Sequence, residues 1–118
     1  MLTMKDRSFY HEIESLWHSL DQTATESKQS HQATIELSRL YRAWDAEHQK
    51  LAREVFGEWL HSSNARKRFD ALSIIDEFLI SEAASGLYDL REKLRTDSSP
   101  EALFEIHRIT GILEKFEQ

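Results

Sequence analysis

Apolar residues recur every three to four positions along most of this chain, the period of helices with one buried face. The first run predicts a helix from about Met4 to Leu20, capped by Thr3. Phe9, Tyr10, Ile13, Leu16, Trp17 and Leu20 share one arc, and His11, Glu14, Ser15 and His18 fall opposite. Gln22 to Gln32 is poor in apolar residues and rich in Ser and Thr, so it reads as a polar loop or a frayed connection. A second helix starts near His31 and turns Leu37, Leu40, Tyr41 and Trp44 inward. Asp45 stands where an N-cap belongs, opening a third helix from Ala46 to His61 that buries Leu51, Ala52, Val55, Phe56, Trp59 and Leu60. No Gly or Pro enforces that break, so one long helix through Asp45 is the alternative.

After Ser62-Ser63-Asn64, a fourth helix spans Ala65 to Ile80, with Phe69, Ala71, Leu72, Ile75, Phe78 and Leu79 inward. A short fifth helix, about Ala83 to Arg95, is seamed by Leu87, Leu90 and Leu94. Ser99 as N-cap and Pro100 at the first helical position mark the start of a sixth. Its inward positions are Ala102, Ile106, Ile109, Leu113 and Phe116. Helices three and four, then five and six, are joined by short turns, which makes each pair an antiparallel hairpin. The hairpins also match each other. Phe69, Leu72, Ile75 and Leu79 align with Ile106, Ile109, Ile112 and Phe116 at a constant shift, the mark of stacked helical repeats.

Composition agrees with an all-α chain. Three Gly, one Pro and a single Val leave too few turn and strand formers for a sandwich or barrel. At 118 residues one domain is expected. Its N-terminal helices and polar loop take residues 1–45, and the two hairpins take 46–118. The absence of cysteine excludes disulfides, thiol catalysis and Cys-ligated zinc, and suits a reducing cytoplasm. The first residues lack the apolar stretch of a signal peptide, and no apolar run nears the roughly 20 residues that span a bilayer. Twenty-one acids against 15 bases give a net charge of −6, the wrong sign for a direct nucleic-acid binder and the right one for a basic protein partner.

Chemistry is sparse. His11, Glu14 and His18 could meet at a zinc ion, but a solvated polar face explains them as well. Asp45 and His48 have the spacing of carboxylate-bridged metal bundles without the second copy such sites need, so Asp45 reads better as a cap. No metal or other cofactor is expected. Trp17, Trp44 and Trp59 fall at core-facing positions, so packing is their default role and not base stacking. Arg66, Lys67 and Arg68 open helix four, where a phosphate site is the rival reading. The plainer one pairs Arg66 with Asp70 one turn on, and Arg68 with an acid such as Asp76. Glu47, Glu54 and Glu58 line the outer face of helix three, and Asp70 and Glu77 that of helix four. Phe104 lies off the main arc of helix six, either covering the end of helix five or exposed as a contact residue.

The stretch Leu51-Ala52-Arg53-Glu54-Val55-Phe56-Gly57-Glu58-Trp59-Leu60, the Ser-Ser-Asn turn, then Arg66-Lys67-Arg68-Phe69-Asp70-Ala71-Leu72 and Asp76-Glu77-Phe78, resembles a HEAT-like repeat. The resemblance covers about the last two thirds of the chain and implies stacked hairpins behind an N-terminal capping helix; a capped helical bundle stays open. In size, acidity and lack of catalytic motifs the chain is similar to the helical immunity proteins of bacterial toxin systems. That resemblance implies a cytoplasmic, non-catalytic monomer or weak dimer. Such a protein would block a cognate toxin, taken as a basic nuclease, through Glu47, Glu54, Glu58, Asp70, Glu77 and Phe104. The alternatives are a scaffold or adaptor domain holding its partner in an apolar groove, and a ligand- or metal-binding bundle.

Overall fold

The structure, a computed structural model, describes residues 4–27 and 32–118, with side chains from 6 to 23 and from 32 onward. Among the described residues there are six α-helices and no strand: α1 (Met4–Ser27), α2 (Gln32–Ala43), α3 (Ala46–Trp59), α4 (Ala65–Phe78), α5 (Ala84–Leu94) and α6 (Pro100–Phe116). A single 3₁₀ turn, Ser81–Ala83, leads into α5. No described helix is long and apolar enough to cross a membrane. The chain forms two compact units, Met1–Val55 and Phe56–Gln118, and the division falls inside α3.

In the first unit α1 packs on α2. Phe9, Ile13 and Trp17 are buried at four-residue steps on α1, as are Ala33, Leu37 and Tyr41 on α2. Leu16, Leu20 and Trp44, expected inside, are only half-buried, so the buried stripe is narrower than the apolar arc. The polar loop expected from Gln22 is overturned as far as Ser27, because α1 continues through it. Nothing in that segment forbids a helix: there is no Gly or Pro, and the Thr23 hydroxyl donates to the Ser19 carbonyl at 3.0 Å, satisfying itself inside the ladder. The Thr3 cap, the His31 start and the rest of that loop lie outside the described residues.

The break at Asp45 is real. Asp45 Oδ1 accepts the backbone N–H of His48 at 2.9 Å, and its carbonyl takes the first α3 bond, from Gln49. The α2 end is closed from α3: Gln49 Nε2 donates to the Tyr41 carbonyl at 2.8 Å, and Arg53 reaches the Tyr41 hydroxyl at 3.1 Å. Two helices stand here, as the Asp45 cap predicts, and not the single long alternative.

The second unit is cored by Phe56, Trp59, Leu60, Leu72, Ile75 and Leu87, with Ile109 and Ile112 from α6. α5 crosses the end of α3 closely: a Cβ on Gly86 would lie 3.2 Å from Leu60 Cδ1. The turns are built from their caps. Asn64 Oδ1 accepts from the N–H groups of Arg66 and Lys67, and Ser99 Oγ accepts from that of Ala102. α4 stops at Phe78, short of the expected Ile80, because Leu79 turns into the left-handed region (φ 50°) and Ile80 N–H returns to the Ile75 carbonyl at 3.0 Å. Leu79 is consequently half-exposed and not in the core. The constant shift survives in burial: Leu72 and Ile75 are buried like Ile109 and Ile112, while the flanking Phe69, Leu79, Ile106 and Phe116 are all more open.

Candidate functional site

Three polar tethers join α4 to α6. Arg68 grips Glu105 with two parallel bonds, Nε to Oε2 at 2.8 Å and Nη2 to Oε1 at 3.1 Å. Arg108 Nη2 donates to Ser73 Oγ at 2.7 Å, and Lys115 Nζ to Asp76 Oδ1 at 2.7 Å. Residue numbers climb together on both helices, so α4 and α6 run parallel, as the second helices of two stacked hairpins should. This geometry corrects the expected partner of Arg68. Asp76 lies two turns further along the same helix, about 12 Å away at 1.5 Å per residue, whereas Glu105 is level with Arg68 across the gap. The third guanidinium N–H of Arg68 closes the turn before α4, donating to the Ser62 carbonyl at 2.9 Å.

Between the N-terminal halves of these helices lies a groove of about 400 Å³. Its apolar walls are Ala65, Phe69 and Leu72 from α4 and Pro100 and Phe104 from α6. Glu101, Glu105 and Arg108 supply the polar lining. Phe104 is 68% exposed and the neighbouring Leu103 60% exposed, which decides between the two expectations for Phe104: it stands open and does not cover α5. The cause is helical phase. Ala102, Ile109 and Leu113 fix the buried stripe of α6, and Phe104, two residues after Ala102, points the other way. Phe69, expected inside, forms a groove wall instead, with the Arg108 guanidinium stacked 4.6 Å from its ring centre.

Arg108 is a half-buried cation set among acids. Burial pulls its pKa below the ordinary arginine value, against the attraction of Asp76, Glu105 and Asp70. Its Nη1 is buried with no hydrogen-bond partner among the described residues.

The expected acidic surface changes in one member. Asp70 is 3% exposed, so it does not line an outer face. The buried arc of α4 includes Ala71, Ile74 and Ile75 and is wide enough to take Asp70 in, where its charge acts on Arg108. Glu47, Glu54, Glu58 and Glu77 are exposed. Glu54 is held: its Oε2 accepts from the Tyr10 hydroxyl at 2.8 Å. Glu58 and Glu77, which belong to the second unit, do not line the groove.

The remaining candidates disperse. His11 and His18 are exposed, and no three His, Asp or Glu side chains converge at metal-binding distance among the described residues. Asp45 Oδ1 lies 2.7 Å from His48 Nδ1 while capping α3. The three bases at the start of α4 point apart: Arg68 to Glu105, Lys67 over the Trp59 ring at 5.3 Å, Arg66 outward. Trp17 and Trp59 are buried, and Trp44 meets Phe9 edge-on at 5.3 Å. Glu101, Leu103, Glu105 and Arg108 went unmarked in the sequence, although Arg68 and Glu105 are separated by the repeat shift itself, 37 residues. Comparison with known proteins adds no relative: no protein-family model, no curated protein and no solved structure matches this chain.

Proposed function

We propose that this chain is a non-catalytic protein-binding module and that its partner seats in the α4/α6 groove. One observation carries the reading: Phe104 and Leu103 hold large apolar surface in water beside a preformed, mostly apolar cleft. Exposed aromatic surface over a cleft is the usual make-up of an interface anchor. Two ionisable groups of the groove favour binding over chemistry, since Glu105 is occupied by Arg68 and Arg108 is desolvated and packed on Phe69. This reading is the adaptor alternative raised by the sequence.

A second reading keeps the immunity role, with a basic toxin attracted to the exposed carboxylates Glu47, Glu54 and Glu58 of α3 and Glu77 of α4. Both readings are tested on the protein encoded by the reading frame adjoining this gene. In the groove reading, Phe104→Ala weakens that complex by about tenfold or more, as loss of an interface anchor does. In the immunity reading, Phe104→Ala is mild and reversal of Glu47 and Glu58 to Lys slows association several-fold in low salt. Absence of any complex removes the immunity role, and a complex indifferent to all three changes removes both surfaces.

A further inference from the structure

We infer that the groove takes a short partner segment whose apolar anchors are flanked by Lys or Arg. The inference rests on the groove reading above and adds the chemistry of the occupant. Charge sets that chemistry. Neither cation near the groove is open to an incoming chain: Arg68, beside it, is paired with both oxygens of Glu105, and Arg108 is attracted by Asp76, Glu105 and Asp70 while its unpartnered Nη1 is buried. Glu101 is exposed on the groove wall, and it makes no hydrogen bond or ion pair among the described residues. The charged side chain that the groove wall leaves open to an incoming chain is therefore the Glu101 carboxylate, in a chain whose net charge is −6. An acidic segment would meet Glu101 head on, while a basic one answers it and is steered in by the field of the whole chain.

Size argues for a segment and against a second copy of this chain. The walls run from Ala65 to Leu72 on α4 and from Pro100 to Arg108 on α6, about two helical turns or roughly 11 Å. That length, with a volume of about 400 Å³, accepts two or three large side chains. Phe69, Leu103 and Phe104 together leave roughly 300 Å² of side chain in water, from the area a large apolar residue can bury. A stable dimer needs about 800 Å² from each partner. Two turns of an amphipathic helix, or a few extended residues, match the groove better.

The experiment is selection from a displayed library of random twelve-residue peptides on the full chain, followed by affinity measurement for the best synthetic binders. Selected peptides should combine Leu, Phe or Trp anchors with Lys or Arg. Phe104→Ala should weaken them by about tenfold or more. Glu101→Lys should weaken them about three- to tenfold in low salt and much less in molar salt, as expected for one exposed charge contact. Both side chains are exposed, so cooperative melting certifies the variants, with a slightly lower midpoint for Glu101→Lys in the first turn of α6. Binders that need Phe104 but show no basic bias and ignore Glu101→Lys overturn the inference and leave the groove reading standing. Binders indifferent to Phe104, or no binders at all, overturn both. A concentration-dependent dimer abolished by Phe104→Ala would make the occupant a second copy and overturn the inference.

Discussion

Glu105 shows how a side chain that looks like surface polarity in the sequence becomes structural in the fold. Its carboxylate is largely withdrawn from water and doubly bonded to Arg68. Glu105→Ala should cost about 2 kcal/mol in a denaturant titration, less than a fully buried pair because both groups keep some solvent. A change under a few tenths would mean the tether is not formed in solution. Asp70 teaches the same lesson from the other side. An acid drawn on a helical wheel shows its phase, but not how wide the buried arc is, and on α4 the arc reaches it. Asp97 offers a pH signature. Its carboxylate accepts the Ser99 N–H at 2.9 Å, and that bond holds its pKa below the ordinary value. A carboxyl lowered in the folded state adds stability above its unfolded pKa of about 4, and that stability is lost as pH falls through the lower folded value. Asp97→Asn keeps the acceptor and loses the titration. The variant should therefore unfold less steeply than the parent below pH 4, and parallel acid curves would show that the bond contributes nothing.

At the scale of elements, the boundaries legible in the sequence are those set by local chemistry. Asn64, Ser99 with Pro100, and Asp45 each satisfy backbone donors within three residues of themselves, so the sequence alone exposes them. The end of α4 was not legible, because it depends on a Leu adopting a conformation usually left to Gly. Nor is the length of α1, where low apolar content suggests a loop although every residue from Gln22 to Ser27 tolerates a helix. The groove followed the same pattern. Phe104 stood out by its phase, whereas its neighbours Glu101 and Arg108 became visible only once α4 and α6 lay side by side. Leu79 gives a test at this scale. Holding Leu at φ 50° costs about 1 kcal/mol or more, and the side chain recovers little burial in return. Leu79→Gly should thus raise stability by about 0.5–1 kcal/mol, read as a higher urea midpoint at unchanged slope. A loss of similar size would mean that the half-exposed side chain contributes more than its backbone costs.

For the molecule as a whole, in the proposed binding role, an excess of acids would govern how fast a basic partner arrives more than how tightly it stays. Among the exposed acids, the side chains of Glu47 and Glu58 make no hydrogen bond or ion pair with the described residues, while that of Glu54 holds the Tyr10 hydroxyl. Lys at 58 should leave the melting temperature unchanged, and Lys at 47, in the first turn of α3, should lower it only slightly by opposing the helix dipole. Lys at 54 removes one hydrogen bond, at a cost of about 1 kcal/mol. Charge effects on binding are therefore cleanest at the first two positions. With a basic partner, Glu47→Lys plus Glu58→Lys should lower the association rate several-fold in low salt. The difference should shrink as ionic strength passes about 0.15 M, where the screening length falls to about 8 Å. Dissociation rates should hardly move. Stopped-flow traces at three salt concentrations separate the two surfaces: a salt-dependent association rate assigns the acids of α3 to capture, and a salt-independent loss in dissociation confined to Phe104→Ala assigns retention to the groove. If the double reversal changes neither rate, the acidic face takes no part in recognition and the groove alone remains.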